Sequence, residues 1–91
     1  MKESAIEKEV CEYASDRGWI PLKLTCPNKA GVPDRIFIGY YGKVLWVEFK
    51  TSTGRLSPNQ ERFIDKLKDF NQDVFVIDNV LDGKRLIDEC S

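Results

Sequence analysis

Two acidic side chains and one lysine are unusual in this sequence, because the segments that contain them are otherwise rich in β-branched and aromatic residues. Asp34 opens the segment DRIFIGY, and Glu48 and Lys50 end the segment KVLWVEFK. Side chains of a strand alternate between its faces, so Glu48 and Lys50 share one face at roughly 7 Å from each other. In an antiparallel hairpin, the start of the first strand meets the end of the second. The sequence therefore predicts that all three charges converge.

Such a group of charges favours a divalent metal ion. Two neighbouring carboxylates repel each other and are hard to keep ionised without a cation between them. We therefore expect Mg²⁺ or Mn²⁺ at Asp34 and Glu48, with the backbone carbonyl of Phe49 as a further ligand. Lys50 could orient a water molecule or stabilise negative charge on a phosphate. The alternative is a cross-strand salt bridge of Lys50, which contributes under about 1 kcal/mol if it is exposed.

The middle of the chain is basic although the whole chain is nearly neutral. The formal net charge is −1, but residues 22–55 contain six basic and two acidic residues, a local balance of +4. Because the local field acts on a polyanion, this segment could form a surface that faces phosphates. A chance excess of solvated lysines is the alternative.

The residue types exclude several classes of function. Histidine is absent, and Cys11, Cys26 and Cys90 lie far apart, which excludes a zinc finger and any mechanism with histidine as the base. We expect the cysteines to be reduced. The opening residues lack the apolar block of a signal peptide, and no apolar run approaches the roughly 20 residues of a membrane span. We therefore expect an intracellular, cytoplasmic protein.

The hydrophobic pattern predicts one domain over residues 1–91 with the element order α-β-β-β-α-β-α, an α/β or α+β fold whose mixed central sheet is flanked by helices. Ser4 is the expected cap of the first helix, and Ser57 with Pro58 opens the second. The second helix should bury Phe63, Ile64, Leu67 and Phe70. The predicted ranges are helix 4–17, strands 19–25, 34–40 and 43–50, helix 57–70, strand 73–78 with both faces buried, and a short final helix that includes Gly83.

Four aromatic residues could stack on nucleic-acid bases, but aromatic side chains at strand positions more often belong to a core or an interface. We expect the core or interface role for Trp19, Tyr40, Tyr41 and Trp46.

The spacing of the charged residues resembles a known pattern. Pro33-Asp34, thirteen residues, and then Glu48-Phe49-Lys50 is similar to the motif of the PD-(D/E)XK nuclease superfamily. The units GVPDR and VEFK, the helix opening GRLSPNQ and the acidic first helix ESAIEKE together resemble the virus-type replication-repair nuclease (VRR-NUC) family in its stand-alone phage form. This resemblance covers nearly the whole chain and implies a restriction-endonuclease-like core.

The resemblance also implies roles for individual residues. Asp34 and Glu48 match the metal ligands, Lys50 matches the catalytic lysine, and Glu7 matches a further acid of the first helix. Glu3 is the substitute for Glu7, which could instead close a capping box with Ser4.

Further positions match the surroundings of the family's active site. Gln60 matches a glutamine near that site, although it could equally close a capping box with Ser57. Lys23 and Arg35 match basic positions that could contact phosphate, and Lys29 and Arg55 complete the expected DNA-binding set.

Together these features predict a Mg²⁺- or Mn²⁺-dependent, structure-specific DNA endonuclease. The small chain suggests a homodimer, and a symmetric pair would suit branched DNA such as a Holliday junction. Two alternatives remain open at this point. One is a DNA-binding module that keeps the nuclease-like fold without catalysis in a replication or repair complex, and the other is a structural interaction protein with a chance motif.

Overall fold

The computed structural model describes all 91 residues and has the predicted order of elements. The link between the second and third strands is a single 3₁₀ turn at Tyr40–Gly42. The elements are α1 (Glu3–Asp16), β1 (Ile20–Lys23), β2 (Arg35–Ile38), β3 (Val44–Phe49), α2 (Pro58–Asp69), β4 (Asp73–Ile77) and α3 (Val80–Cys90).

The four strands form one mixed sheet in the order β1-β2-β3-β4, which confirms the predicted sheet type. β2 is antiparallel to both β1 and β3, whereas β4 is parallel to β3. In the β2–β3 hairpin Arg35 lies opposite Val47, so the same register carried one residue further brings Asp34 opposite Glu48. The hairpin therefore brings together the two acidic residues that the sequence analysis singled out.

The central strand β3 separates the core from the candidate site. Leu45, Val47 and Phe49 are fully buried on one face, in a core that includes Ile6 of α1 and Ile87 of α3. The alternate residues, Trp46 and Glu48, lie on the opposite face, where α2 packs beside β4. An acidic side chain is thus attached to the most completely buried strand of the sheet.

Two details of the predicted helices are wrong. α1 begins at Glu3 with Lys2 as its N-cap and has no side-chain cap, so Ser4 does not cap it and Glu7 does not close a capping box. Phe70 follows the last residue of α2 and is 66% exposed, because the chain leaves the helix before that side chain reaches the sheet. In α2, Ile64 and Leu67 are buried as predicted, and Phe63 is half-buried.

The predicted burial of both faces of the fourth strand is also wrong. β4 lies at the edge of the sheet, and both Asp73 and Val76 are exposed. In a sheet of four strands, an apolar run can therefore form an edge strand that is only partly buried.

Among the aromatic residues, Trp19 is buried and Trp46 is half-buried, but Tyr40 and Tyr41 lie exposed at the turn and do not belong to the core. All three cysteines are free, as expected. None of the helices has the length and apolar character that a membrane span requires.

Gly83 is buried in α3 because α1 passes directly over it. A Cβ atom at this position would collide with Cγ2 of Val10 and lie 3.0 Å from its Cγ1. The core at this point has no room for one additional methyl group.

We predict that Gly83→Ala lowers the free energy of unfolding by about 1–3 kcal/mol through overpacking, although alanine ordinarily favours helices over glycine. Urea denaturation monitored by circular dichroism measures the change. Glu89→Ala, at an exposed position of the same helix, should change stability by less than about 0.5 kcal/mol. Equal stability of Gly83→Ala and the parent would contradict the tight contact between α1 and α3.

Candidate active site

Asp34 lies one residue before β2. Hydrogen bonds hold both its side chain and its backbone carbonyl. Its carboxylate Oδ2 accepts a hydrogen bond of 2.9 Å from the backbone N–H of Phe49. Its backbone carbonyl accepts a bond of 3.0 Å from the N–H of Leu24. These contacts tie Asp34 to the strands on either side of β2 and fix its carboxylate next to the end of β3.

Glu48 is the only charged residue that is buried, with 2% of its surface exposed. This burial raises the pKa of the Glu48 carboxyl from 4.5 to about 7. Within this shift, the neighbouring charges of Asp34 and Glu3 also raise the pKa, whereas Lys50 lowers it. Removal from water and repulsion between carboxylates together make the ionised form of Glu48 costly in the free protein.

The two oxygens of the Glu48 carboxylate have different surroundings. Oε2 accepts a hydrogen bond of 3.1 Å from Nε2 of Gln60 and lies 3.7 Å from Nζ of Lys50. Oε1 is buried and has no hydrogen-bond partner in the protein. A buried carboxylate oxygen without a partner is expensive, which indicates that a ligand belongs beside it.

Three carboxylates meet at this point. One oxygen from each of Glu3, Asp34 and Glu48 can be chosen so that all lie within 4.8 Å of one another. Oxygen ligands of Mg²⁺ lie about 2 Å from the ion and therefore about 3–4 Å from one another, so these side chains need to close only slightly to hold one. The donor set and the unpartnered Oε1 fit a hard divalent cation such as Mg²⁺ or Mn²⁺.

Gln60 closes the predicted capping box and also contacts Glu48. Its side-chain Oε1 accepts from the backbone N–H of Ser57 at 2.8 Å while its own N–H donates to the Ser57 hydroxyl, which completes the capping box. Its Nε2 remains free to donate to Glu48. The first turn of α2 therefore orients the Glu48 carboxylate.

Glu7 lies one helical turn after Glu3 and has different partners. Its Oε2 lies 2.9 Å from Nζ of Lys23 and 2.7 Å from Nε of Arg35, which are paired across β1 and β2. Burial alone would raise the pKa of Glu7, but hydrogen bonds from Arg35 and Lys23 outweigh that effect and lower it. The structure thus brings Glu3 to the carboxylate cluster and joins Glu7 to two of the residues expected to bind DNA.

The remaining predicted site residues have separate surroundings. Lys50 follows β3 directly, and its backbone N–H donates to the carbonyl of Ile77 at 3.0 Å. The backbone N–H of Phe49 donates to Asp34. Metal coordination by the Phe49 carbonyl stays a prediction. Lys29 is exposed with its Nζ 5.6 Å from the centre of the Phe63 ring, and Arg55 is exposed before α2.

Comparison with known proteins identifies the family. The family model for the VRR-NUC domain matches residues 23–80. The chain belongs to the VRR-NUC family. It is 32% identical over 79 residues to a protein named "Putative nuclease p44" from Acyrthosiphon pisum secondary endosymbiont phage 1, which covers 87% of this chain and 85% of that protein. A solved structure named "VRR_NUC domain" has a TM-score of 0.87 and 25% identity and covers 94% of each chain.

The match confirms the resemblance and the fold class that the sequence analysis gave. Asp34, Glu48, Lys50 and Gln60 lie within the VRR-NUC match, whereas the candidate glutamates of α1, Glu3 and Glu7, lie before it. The further acid that the resemblance implies in the first helix therefore has to be judged from the positions of these glutamates in the structure. No signal in the sequence favours Glu3 over Glu7, because the choice depends on where α1 packs along the sheet.

We predict that Glu48→Gln stabilises the metal-free protein at high pH. The pKa of Glu48 is about 7 in the folded protein against 4.5 ordinarily. Between these values the folded state retains a proton that the unfolded chain has released, so stability falls as the pH rises and stays lower above 7. Glutamine does not ionise. The free energy of unfolding of the variant should therefore exceed that of the parent by about 2 kcal/mol at pH 8.5 and by little at pH 4.5.

Urea denaturation in EDTA at both pH values measures this difference. Glu9→Gln, on the exposed side of α1, is the matched control and should show no comparable gain. A Glu48→Gln variant that is no more stable than the parent at pH 8.5 would contradict the cost of the ionised carboxylate.

We predict that Glu3→Gln and Glu7→Gln differ in their effects. Loss of a ligand should weaken Mn²⁺ binding by about tenfold or more for Glu3→Gln. Glu7→Gln should retain most of the Mn²⁺ affinity but lose about 1–2 kcal/mol of stability, because it loses its charge-assisted bonds to Lys23 and Arg35. Calorimetric Mn²⁺ titration and urea denaturation of both variants provide the two measurements. A larger loss of Mn²⁺ affinity in Glu7→Gln would reverse the assignment.

Proposed function

We propose that this VRR-NUC protein is a Mg²⁺- or Mn²⁺-dependent endonuclease that hydrolyses phosphodiester bonds in structured DNA. The observation that supports this most strongly is the buried, unpartnered Oε1 of Glu48, next to the carboxylates of Asp34 and Glu3. Such a site is costly in the free protein and suits a divalent cation. Membership of the family and the likeness to a phage protein named as a nuclease support the same reaction.

In this proposal Glu3, Asp34 and Glu48 hold the ion. The bound ion would act as a Lewis acid and neutralise negative charge on the phosphate. Lys50 has its Nζ 3.7 Å from Glu48 and its side chain 18% exposed, so its ammonium group could donate to a phosphate oxygen or to the attacking water. Gln60 keeps Glu48 in place. The water oxygen forms the new bond to phosphorus while the bond to the leaving oxygen breaks.

We also propose that two copies act together on branched DNA, such as a Holliday junction. The chain measures 32 × 31 × 22 Å and offers little surface for a DNA channel of its own. Ile20 and Leu22 of the edge strand β1 are 54% and 46% exposed, which is unusual for large apolar side chains on an unpaired edge. A homodimer would provide two sites for two strands. By analogy with the phage relative, the place of action is the cytoplasm of a host cell.

We predict that Asp34→Asn and Lys50→Gln lose DNA cleavage by about a hundredfold or more, because each removes a charged group at the reacting phosphate. Lys43 and Asp73 form an exposed ion pair at the opposite end of β3 from Lys50, where β4 begins. The charged atoms of this pair lie 3.7 Å apart. Lys43→Gln and Asp73→Asn are therefore matched controls and should cleave within about twofold of the parent. The assay uses junction, flap and linear DNA with Mn²⁺.

Each outcome separates the proposals. Equal cleavage by the parent and both site variants would show that a contaminant is responsible. DNA binding without cleavage in either metal would favour the non-catalytic binding module. Paired symmetric cuts in the junction support the homodimer, and preferential cleavage of linear DNA would contradict the proposed substrate.

A further inference from the structure

A cleft beside α2 is lined by Lys29, which belongs to the expected DNA-binding set, and by two cations of α2 that the sequence analysis did not single out. Its volume is about 250 Å³, and its lining contains no acidic residue. The lining residues are Lys29, Ala30, Asn59, Arg62, Phe63 and Lys66.

The spacing of the α2 residues places their side chains on one stripe of the helix. Arg62, Phe63 and Lys66 lie three, four and seven residues after Asn59. The buried residues of α2, Ile64 and Leu67, belong to the neighbouring stripe that faces the sheet. The basic stripe is therefore directed to one side of the helix rather than scattered around it.

The loop before Asp34 forms the opposite wall of the cleft. Gly31 has a φ of +85°, and a Cβ atom there would collide with the backbone of Asn59 and lie 2.9 Å from the backbone nitrogen of Gln60. This close backbone contact fixes the loop against the first turn of α2. It holds Lys29 opposite Arg62 and Lys66, with its Nζ above the Phe63 ring at 5.6 Å.

The positive charges of the cleft are not neutralised within the protein. Lys29, Arg62 and Lys66 take part in none of the ion pairs, whereas Lys23 and Arg35 are both paired with Glu7. Arg62 donates through Nη2 to the Asn59 side chain, which holds the guanidinium at the rim and leaves its other N–H groups free. Unneutralised cations around a cleft form a site that is complementary to a phosphate.

The loop and the helix that line the cleft also lead to residues of the carboxylate cluster. Gln60, which contacts Glu48, is adjacent to the lining residue Asn59, and Asp34 follows Ala30 by four positions. Along α2, Lys66 lies about 9 Å beyond Gln60, which equals the rise of about two to three nucleotides of one DNA strand. A strand with its scissile phosphate at the carboxylates could thus place a neighbouring phosphate at the cations.

We propose that the cleft of Lys29, Arg62 and Lys66 binds a phosphate of the DNA strand that flanks the scissile position. This inference rests on the proposed function, whose substrate is DNA. The cleft positions the strand and takes no part in bond breaking. Its contribution is therefore the same for the bound substrate and for the transition state, so it affects KM and not kcat.

The test compares two double variants that lose the same charge. Arg62→Gln/Lys66→Gln alters the cleft, whereas Lys68→Gln/Lys84→Gln alters lysines outside its lining. Fluorescence anisotropy with labelled duplex DNA in Ca²⁺, at several salt concentrations, gives the affinity and its salt dependence. Circular dichroism and thermal melting establish that both variants are folded.

We predict that the cleft variant binds DNA about tenfold more weakly at 0.1 M salt. The slope of log K against log salt should fall in magnitude by up to about 0.9, since the cleft neutralises one phosphate and each phosphate contributes about 0.9. In cleavage assays KM should rise with kcat unchanged, and the control variant should stay within about twofold of the parent in every measurement.

The possible failures can be told apart. If the parent binds and cleaves DNA but both double variants behave alike, the cleft is not a phosphate site and the proposed function stands. A loss of kcat with unchanged KM would also overturn the inference. If the parent binds no DNA even at 0.05 M salt, the proposed function fails and the inference fails with it.

Discussion

The constraint on which the site depends is the burial of one carboxylate in a sheet that is otherwise apolar. Glu48 is 2% exposed, and one of its oxygens has no partner in the protein. An ionised carboxylate in such surroundings must gain a proton or a cation, or else destabilise the fold. Burial raises the pKa of Glu48 to about 7, so the free protein resolves the conflict partly by holding a proton. Asp34 and Glu3 add repulsion that a divalent cation would convert into attraction. Part of the stability of the fold is thus given up to form the site.

The same strand provides both the rigidity and the chemistry. Leu45, Val47 and Phe49 anchor one face of β3 in the core, and this packing fixes the direction of the residues between them. Asp34 is tied to the strand by the N–H of Phe49, and Gln60 reaches Glu48 from a helix start that its own side chain helps to cap. Asp34, Glu48 and Gln60 are therefore each held by a backbone hydrogen bond or by core packing. An arrangement of this kind is pre-organised, because its groups need little movement to act together.

Charge is distributed in the structure differently from its distribution along the sequence. The basic middle segment is not a uniform surface, because Glu7 of α1 pairs with both Lys23 and Arg35 and offsets part of their charge. Free positive charge is found instead where the loop containing Lys29 packs against α2. The carboxylate cluster is linked to both groups, because Glu3 lies one helical turn before Glu7, and Gln60, next to the cleft residue Asn59, contacts Glu48. The cations attract a polyanion, whereas the nearby carboxylates repel it. A divalent cation bound to the carboxylates would remove this repulsion.

The sequence by itself determined the order of the elements, the β2–β3 hairpin and the meeting of Asp34 with Glu48, because these follow from alternation, turn residues and local pairing. It also determined the family, through short motifs whose spacing the hairpin requires. Only the tertiary structure decided that Glu3 and not Glu7 reaches the carboxylate cluster, because residues one turn apart on a helix are equivalent until the helix is packed against the sheet. The edge position of β4 and the cleft beside α2 were likewise decided by contacts between elements far apart in the chain. Local sequence patterns predict on which face of a helix or strand a side chain lies. Which residues it contacts there depends on how the elements pack against one another.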